Sequence, residues 1–352
     1  MNTILYMFIH LIMLVSFIIV PRISRQDIEF GVTIPSSAKS DPAVLAIRKR
    51  FYLLACIVGV VVIGFQILIK GPETTFMLIL MTSLVAYVLV YMIAYNQMKD
   101  LKKKAEWTIS DQKVHVDMMF RKRKLTVSSK WYLSYFFIVL ITIGTAVYSF
   151  NGLPENIVIQ MNAASGEMQL MEKGKALVFL ICMQIFVMGL MIFVQHIIKQ
   201  AKQSLNAENI EASIRSNVNF RYITSVIIFF LGLAIGITMY MSLLFSMGII
   251  KNVSVVVITT FVLTFMPTFV LIVYSVKLGQ DGSRLMDVKS DQIQVDDDIY
   301  WKFGMFYYNS NDPSVFVGKR VGLGWTVNFA RWQSWAMLGI LVVIIVATFY
   351  FV

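Results

Sequence analysis

The chain has 352 residues, a net charge of +11, 58% apolar or aromatic residues and only 14% Asp, Glu, Lys or Arg. Soluble domains average about 25% charged residues, so this composition excludes a soluble enzyme, a secreted disulfide scaffold and a disordered regulator. Cys56 and Cys182 both lie inside apolar runs, where we expect them to act as small buried hydrophobic residues.

Apolar segments without any Asp, Glu, Lys or Arg follow one another along the sequence, and each is long enough to cross a bilayer. They comprise residues 4–20, 51–69, 76–95, 131–150, 176–198, 222–247, 253–276 and 335–352. The sequence therefore predicts an all-α integral membrane protein, a bundle of about eight transmembrane helices with a small cytoplasmic β-hairpin-like module. The first segment lacks a positive leading region and a cleavage site, so we interpret it as a retained anchor.

The basic residues predict the orientation of these spans. Loops 21–50, 97–130, 199–221 and 277–331 contain 6, 10, 4 and 7 of the Lys and Arg residues, which is 27 of 31, and the alternate loops contain only 4. Since basic loops remain in the cytoplasm, we expect a multi-pass protein of the cell membrane with both termini extracellular. The basic run 121–124 is interpreted as a topology signal that also attracts anionic headgroups.

The predicted organisation has four consecutive parts. A three-span region covers residues 1–130, a four-span core covers 131–277, an aromatic cytoplasmic module covers 278–334, and the final span covers 335–352.

Short strands are predicted in the cytoplasmic segments. The apolar residues Val114, Val116 and Met118 alternate with polar residues, as in one strand. Residues 299–330 are rich in aromatics around a turn-forming cluster at 309–313, which predicts one hairpin-like module lying against the membrane.

Specific side chains are expected to hold this module in place. We predict that Trp301 and Trp325 anchor it and that Lys319 and Arg320 reach lipid phosphates. The acidic cluster at 296–298 is interpreted as a solvated turn rather than a metal site.

No catalytic or cofactor motif occurs: HExxH, CxxC, GxSxG and the phosphate-binding GxxxxGK[ST] are all missing. We therefore expect no enzyme, no metal and no cofactor. Polar residues within the spans are interpreted as interhelical hydrogen-bonding groups. Gly232 and Gly236 predict a close helix approach, and Pro267 predicts a kink. The polar set comprises Gln66, Gln184, Gln195, His196, Thr259, Thr260 and Thr264.

Three stretches of the sequence resemble a known group of proteins. They are Phe30-Gly31-Val32-Thr33-Ile34-Pro35; Leu153-Pro154-Glu155-Asn156-Ile157 with Gln160-Met161-Asn162-Ala163-Ala164 and Gly166-Glu167; and Asp298-Ile299-Tyr300-Trp301-Lys302 with Tyr307-Tyr308-Asn309, Asp312-Pro313, Phe316-Val317, Lys319-Arg320 and Gly324-Trp325-Thr326-Val327-Asn328. Together they resemble the SdpI-like bacterial multi-pass proteins, which carry the domain of unknown function 1648. The third resembles the domain of unknown function 5808, which is often joined to it.

The resemblance implies a protein found especially in Gram-positive bacteria, whose best understood relatives give immunity against a secreted peptide toxin and signal its presence. The sequence departs from the family pattern in the second stretch. Val158 replaces a Pro, Gln160 replaces a His and Ser165 is an insertion. Chemistry that depends on that His is therefore not expected here.

The resemblance favours a non-enzymatic immunity or signalling protein that senses an extracellular peptide or envelope ligand. Its expected partners are the lipid bilayer, an extracellular peptide ligand and a cytoplasmic regulator, without nucleic acid. The alternative is a transporter or flippase for an amphipathic solute. The residues expected to bind the ligand are Leu153, Pro154, Gln160, Asn162 and Gly166; those expected at an inner partner or the membrane interface are Trp301, Tyr307, Asp312, Phe316, Lys319, Arg320, Trp325 and Asn328.

Overall fold

The computed structural model describes residues 2–69, 73–107, 119–161, 168–203, 209–285 and 295–351, and most of them are helical. The helices are α1 (Asn2–Ile23), α2 (Pro42–Leu68), α3 (Glu73–Ala105), α4 (Leu133–Ser149), α5 (Lys173–Gln200), α6 (Ile210–Ser246), α7 (Val253–Leu278) and α8 (Trp332–Phe351). Seven of them, α1 to α7, are long and apolar enough to cross a membrane, whereas the qualifying apolar stretch of α8 is the shorter Trp332–Ile344. The chain therefore has the architecture of a multi-pass helical membrane protein, and the eighth span stays a prediction.

Several helices continue beyond the apolar segments that predicted them. Helix α3 extends ten residues past the end of its predicted span, and its last turn contains three consecutive lysines, residues 102–104. Positive charge at a helix C-terminus is favourable because the macrodipole is negative there. Helix α2 begins before its span, where Asp41 caps it by accepting a hydrogen bond from the Ala43 amide at 2.7 Å and Pro42 occupies the first turn.

The helix surfaces are strongly apolar. Many large hydrophobic side chains point away from the protein, among them Val60 and Phe137, as expected where lipid replaces water. Cys56 and Cys182 also lie on these exposed surfaces. The prediction that both cysteines are buried within the protein is therefore wrong, because apolar runs in a membrane helix face lipid as readily as protein.

The chain divides into two compact units. Unit 1 comprises residues 1–120, 201–217 and 275–352, and unit 2 comprises residues 121–200 and 218–274. Unit 1 therefore includes residues near both ends of the chain.

Four antiparallel two-stranded sheets accompany the helices in the described residues. Their strands are β1 (Ile28–Glu29) with β2 (Val32–Thr33), β3 (Asn156–Met161) with β4 (Met168–Glu172), β5 (Trp301–Lys302) with β6 (Phe306–Tyr307), and β7 (Phe316–Gly318) with β8 (Trp325–Val327). Residues 295–331, hereafter the C-terminal module, thus contain two hairpins rather than one. A parallel bridge from Tyr307 to Asn328 joins them. The strand predicted at residues 114–118 lies outside the described residues.

The interior of unit 2 shows what the intramembrane polar residues do. The Gln184 amide donates to the Gly236 carbonyl at 3.1 Å, and the Gln195 amide donates to the Ser225 carbonyl at 2.8 Å. Both bonds join α5 to α6, which confirms the predicted interhelical role for these two residues. Gln66, in unit 1, is buried and has no hydrogen-bond partner among the described residues, so that role is not observed for it.

The two glycines predicted to allow close helix approach do so within unit 2. A Cβ atom on Gly236 would lie 1.7 Å from the Met188 side chain, and one on Gly232 would lie 2.2 Å from the Tyr135 hydroxyl. Only glycine leaves room for these neighbours from α5 and α4. Pro267 lies inside α7, which nevertheless continues to Leu278.

Candidate functional site

A completely buried hairpin lies between α1 and α2 in unit 1. Strands β1 and β2 pair Ile28 with Thr33 and Glu29 with Val32, which leaves a two-residue turn at Phe30 and Gly31. Both turn residues have positive φ, 46° and 78°, the backbone that the right-handed twist of short hairpins favours. Every residue from 28 to 35 is buried, so the first of the three motif stretches is part of the protein interior.

Buried charge on this hairpin is neutralised locally. The Glu29 side chain is 0% exposed, and one of its carboxylate oxygens accepts a hydrogen bond from Arg48 Nε at 2.9 Å. The Lys39 ammonium lies 3.6 Å from the other oxygen. A buried carboxylate is tolerated only with such partners, and these two fix the hairpin to the start of α2 and the segment before it.

The turn of this hairpin packs directly against a second glycine turn in the C-terminal module. Phe303 and Gly304 also have positive φ, 55° and 69°. A Cβ atom on Gly31 would lie 2.6 Å from Gly304 Cα and 2.7 Å from the Tyr91 hydroxyl. That hydroxyl is 3.1 Å from the Phe30 carbonyl oxygen and 3.3 Å from the Phe303 carbonyl oxygen. The two backbones therefore touch, with Tyr91 of α3 hydrogen-bonded between them.

A buried arginine completes the contact. The side chain of Arg320 is only 4% exposed and forms ion pairs with Asp297 and Asp298. Its Nη1 atom also donates to the Gly31 carbonyl at 2.9 Å, and its guanidinium carbon lies 5.2 Å from the centre of the Trp301 ring. Two carboxylates, a carbonyl and an aromatic face thus surround one guanidinium, the multidentate geometry for which arginine is suited.

Asp298 accepts hydrogen bonds from two further residues of this contact. It accepts hydrogen bonds from Thr33 Oγ1 at 2.6 Å, from the Thr33 amide at 3.1 Å and from Lys102 Nζ at 2.7 Å. Lys102 also contacts Asp296 at 2.8 Å. We refer to Gly31, Thr33, Asp298, Gly304 and Arg320 as the latch, because they join the N-terminal hairpin to the C-terminal module.

The latch shifts the acidity of Asp298. Burial alone would raise the pKa of its carboxyl group, but attraction to Arg320 and hydrogen bonds from Lys102, Thr33 and Arg320 outweigh burial, so the pKa lies below its usual value of 3.8. The carboxylate is therefore held in its charged form, as the ion pairs require.

A second buried polar centre organises the C-terminal module itself. Asp312 accepts hydrogen bonds from the Tyr307 hydroxyl at 2.8 Å and from Lys202 Nζ at 2.7 Å. The Asn328 side chain is 0% exposed and donates to the Asn309 carbonyl at 2.8 Å, while its oxygen accepts from the Asn309 amide at 3.0 Å. Arg331 Nε donates to the Asp312 carbonyl at 2.8 Å. These bonds hold the turn at 309–313 against the start of α8.

The predicted residues of the C-terminal module divide into buried and exposed groups. Trp301, Tyr307, Phe316, Asp312 and Asn328 are buried, whereas Lys319 is exposed and Trp325 is partly exposed.

One prediction for the module is wrong. Arg320 does not extend toward phosphates, because its guanidinium is buried in the ion pairs described above. The acidic cluster at 296–298 lies at a partly exposed turn before β5, and each of its three carboxylates contacts Lys102 or Arg320. Among the described residues, no group of His, Cys, Asp or Glu is arranged to hold a metal ion.

Among the residues predicted to bind a ligand, Leu153 and Pro154 lie just before the β3–β4 hairpin of unit 2, and Gln160 lies in β3. Leu153 is buried in a cluster with Ile157, Ala176 and Leu243, and Pro154 is exposed beside it. Gln160 pairs with Gln169 after a β-bulge, and Asn162 and Gly166 lie outside the described residues. Opposite the buried face, Leu170 is 59% exposed, so the hairpin presents apolar surface outward.

Sequence reasoning missed Tyr91, Lys102 and the two facing glycines. One signal was available: Glu29-Phe30-Gly31-Val32 and Lys302-Phe303-Gly304-Met305 repeat a charged residue, Phe, Gly and a hydrophobic residue. Glycine after a residue that itself takes positive φ is typical of tight hairpins. The repeat therefore indicated two similar turns, although not that they touch.

Replacing Trp301 by Ala is expected to destabilise the C-terminal module by about 3–5 kcal/mol, the usual cost of removing a buried aromatic side chain. Trp301 is 5% exposed, packs 4.9 Å from the Tyr307 ring and donates to Asp297 at 3.1 Å. Trp325→Ala should cost less, because that side chain is only partly buried. Limited proteolysis of the purified protein within residues 295–331 measures both effects, and equal cleavage of the two variants would contradict this order.

The C-terminal module should also loosen in acid. The pKa values of Asp298 and Asp312 are lowered in the folded protein, so their stabilising contribution is complete above the unfolded value of about 3.9 and disappears as pH falls through the folded values. Hydrogen exchange of amides in 301–327 should be steady from about pH 7 to pH 5, after correction for intrinsic exchange, and accelerate below about pH 4. Protection that increases on acidification would contradict this expectation.

Comparison with known proteins identifies one part of the chain. Residues 310–335 match a family of unknown function, DUF5808. No curated protein and no solved structure matches the chain. The match confirms the resemblance expected for the third sequence stretch, and it covers the Asp312–Asn328 centre and Arg320 of the latch. The SdpI-like resemblance of the other stretches stays a prediction.

Proposed function

We propose that this chain is a non-enzymatic membrane protein of the SdpI-like kind, which senses an extracellular peptide or another envelope ligand and gives immunity or a signal in response. The observation that carries this proposal is the latch. The family-matched segment is joined through Arg320 to a hairpin near the other end of the sequence by charge-assisted hydrogen bonds and backbone contact. Polar contacts of this kind can exchange for water, so the C-terminal module can exist docked or released.

A sensor needs such an element with two states whose balance a ligand changes. The coupling free energy between two sites of an allosteric protein is typically about 1–3 kcal/mol. Releasing the module would expose Arg320, Asp297 and Asp298, a set of charges able to bind a cytoplasmic regulator. In this proposal the docked state hides those charges and the released state offers them.

The β3–β4 hairpin is the proposed ligand contact. It combines the exposed apolar side chains of Met168 and Leu170 with the exposed Pro154. An amphipathic peptide can bury apolar residues on such a surface and add its backbone to a free strand edge. This use of the hairpin requires that it lies outside the cell.

A labelling experiment tests that orientation. Cysteine introduced at Asn252, next to the exposed Lys251, should react with a membrane-impermeant thiol reagent in intact cells. Cysteine at Ser310, which is exposed in the C-terminal module, should react only after the membrane is opened. Both cysteines should be introduced into a variant with Cys56→Ser and Cys182→Ser, so that no native cysteine reacts. Labelling of position 310 from outside would overturn the orientation on which the proposal depends.

Sensitivity to envelope-active peptides tests the function itself. Cells that lack the gene should become more sensitive to at least one secreted peptide, and the wild-type gene should restore resistance. Leu170→Ser should restore it poorly because the proposed contact is lost, whereas Lys175→Gln, an exposed change beyond β4, should restore it fully. Unchanged sensitivity of the deletion strain across a panel of such peptides would refute the immunity proposal.

A transporter or flippase for an amphipathic solute is the alternative function, and it has less support. Gln184 and Gln195, which would be needed to line a path, are hydrogen-bonded to α6 instead. Uptake or flipping of a labelled lipid by the purified protein in vesicles would reverse this preference.

A further inference from the structure

We infer that one end of unit 2 is a binding surface for the headgroups of anionic phospholipids. The surface is formed by residues 121–132, hereafter the basic strap, together with Lys199 at the end of α5. It is independent of the proposed sensing function, since it concerns what the protein binds within its own membrane.

Four hydrogen bonds place these residues at the same end of unit 2. Arg121 donates to the Gln200 carbonyl at 3.4 Å, which brings the start of the strap to the end of α5. The Val127 amide donates to Ser225 Oγ at 2.8 Å, which fixes the end of the strap on α6. The neighbouring bond between Gln195 and Ser225, at 2.8 Å, and the bond from Arg221 to the Ile198 carbonyl, at 2.9 Å, join α5 and α6 beneath it.

Charge is sorted along unit 2. The two sequence segments of this unit contain three acidic residues, Glu155, Glu167 and Glu172. The two described ones, Glu155 and Glu172, lie in the hairpin region that connects the far ends of α4 and α5. That far end also contains Lys173 and Lys175, which contact Glu155 and Glu172 respectively. The end of unit 2 that contains the strap has no carboxylate among the described residues of this unit. Its basic residues are Arg121, Lys122, Arg123, Lys124, Lys130, Lys199 and Arg221.

The strap has two faces. Leu125 and Val127 are buried, whereas each basic residue from 121 to 124 and Lys130 is exposed. The apolar side chains therefore hold the segment onto the helices while the cationic side chains stay exposed at its surface. Lys124 also lies over the ring of Tyr222, 4.8 Å from its centre, so this side chain has a defined position on the surface.

Phospholipid is the favoured anionic ligand, because exposed apolar residues follow directly after the exposed basic residues. Trp131 is 39% exposed and packs edge-on against Phe229 at 5.0 Å, as expected of an aromatic residue at headgroup level. The next residues, Leu133, Phe136 and Phe137, are exposed and apolar on α4. A phospholipid matches both surfaces, since its anionic headgroup can contact the basic strap and its acyl chains can contact the apolar side chains of α4. Free phosphate or an acidic peptide matches only the basic strap.

The test uses the fluorescence of Trp131 in the full chain reconstituted into phosphatidylcholine vesicles. A small fraction of brominated lipid, which quenches nearby tryptophan, is added either as phosphatidylglycerol or as phosphatidylcholine. A parallel sample of Trp131→Phe gives the contribution of the other tryptophans. Brominated phosphatidylglycerol should quench Trp131 at a much lower fraction than brominated phosphatidylcholine, and salt should weaken this preference.

Matched variants assign the preference to the strap. The change of residues 121–124 to Gln should reduce the preference at least about tenfold, since each basic residue near a membrane surface attracts anionic lipid. Changing Lys173, Lys175 and Lys251 to Gln, at the other end of the same unit, should leave it unchanged. If the fourfold variant does not fold, Lys122→Gln with Lys124→Gln should still lower the preference severalfold.

Three results would overturn the inference. Equal quenching by the two brominated lipids would show that the surface does not select anionic headgroups, and so would an unchanged preference in the strap variants. Loss of the preference on adding inorganic phosphate or an acidic peptide at low concentration would show that the cations serve a soluble anion instead.

Discussion

Gly31→Ala is expected to release the C-terminal module from the N-terminal hairpin while the helices remain folded. The new Cβ atom would lie 2.6 Å from Gly304 Cα, which is backbone and cannot rotate away, and Gly31 has a φ of +78°. The backbone strain of a non-glycine residue costs about 1–2 kcal/mol, and overpacking adds about 1–3 kcal/mol. We therefore expect a loss of about 2–5 kcal/mol, measured as faster hydrogen exchange of the β1–β2 and β5–β6 amides.

Gly322→Ala is the matched control for this variant. Gly322 also has a positive φ, +82°, but nothing lies within 4 Å of where its Cβ atom would be. Alanine at position 322 therefore has the backbone strain without the steric clash. Gly304→Ala should resemble Gly31→Ala, because its Cβ atom would lie 2.8 Å from Gly31 Cα. If Gly31→Ala and Gly322→Ala had the same effect, the two turns would not be in contact in the molecule.

Arg320→Met should weaken the same contact by removing the cation between Asp297 and Asp298. Breaking a fully buried ion pair costs about 3–5 kcal/mol. The two carboxylates here are 37% and 27% exposed, so water can partly replace the arginine, and we expect about 2–4 kcal/mol. The pKa of Asp298 should also rise, because attraction to Arg320 is the strongest influence that lowers it.

Lys319→Met removes a neighbouring positive charge that is exposed, and it should change stability by less than about 0.5 kcal/mol. Chemical denaturation, with unfolding monitored by hydrogen exchange in residues 295–331, measures the stability of both variants. Titration of the Asp298 carboxyl by NMR in an isotope-labelled sample gives the second readout. Equal stability of the two variants, or an unchanged pKa of Asp298, would mean that Arg320 is not the counter-ion of this carboxylate.

The helices were predictable because the signal for a membrane span is local. A run of apolar residues such as 176–198 is sufficient to predict α5, since each residue contributes its own transfer free energy. Helix ends were harder to predict. Helix α3 continues through a polar, lysine-rich segment to Ala105, because helix propensity and not hydrophobicity decides where it ends.

The latch was not predictable because its contacts join distant parts of the sequence. Thr33 and Asp298 are separated by 265 positions, and Gly31 and Arg320 by 289. No periodicity within one segment encodes such a pairing. The same limit explains the error at Arg320: a cation beside an aromatic module at a membrane is typical of phosphate binding, and only the fold reveals that two aspartates face it.

The hairpin in unit 2 illustrates an intermediate case. Ile157 and Ile159 of β3 both pack in the buried cluster, which is a period-two pattern, but the β-bulge between Val158 and Gln160 breaks that pattern after a few residues. A strand prediction needs a longer regular alternation. The two strands of this hairpin were therefore not predicted from the sequence, and the prediction that its residues bind a ligand stays a prediction.

The separation between Gly31 and Arg320 also sets an order of events during biosynthesis. The ribosome adds roughly 5–20 residues per second, so the 289 positions between the two residues correspond to roughly 15–60 s of translation. Throughout that interval the Gly31 carbonyl has been made but Arg320 has not, and the Thr33 amide precedes its partner Asp298 by 265 positions. The buried N-terminal hairpin is therefore made long before the residues of the C-terminal module that contact it in the folded protein.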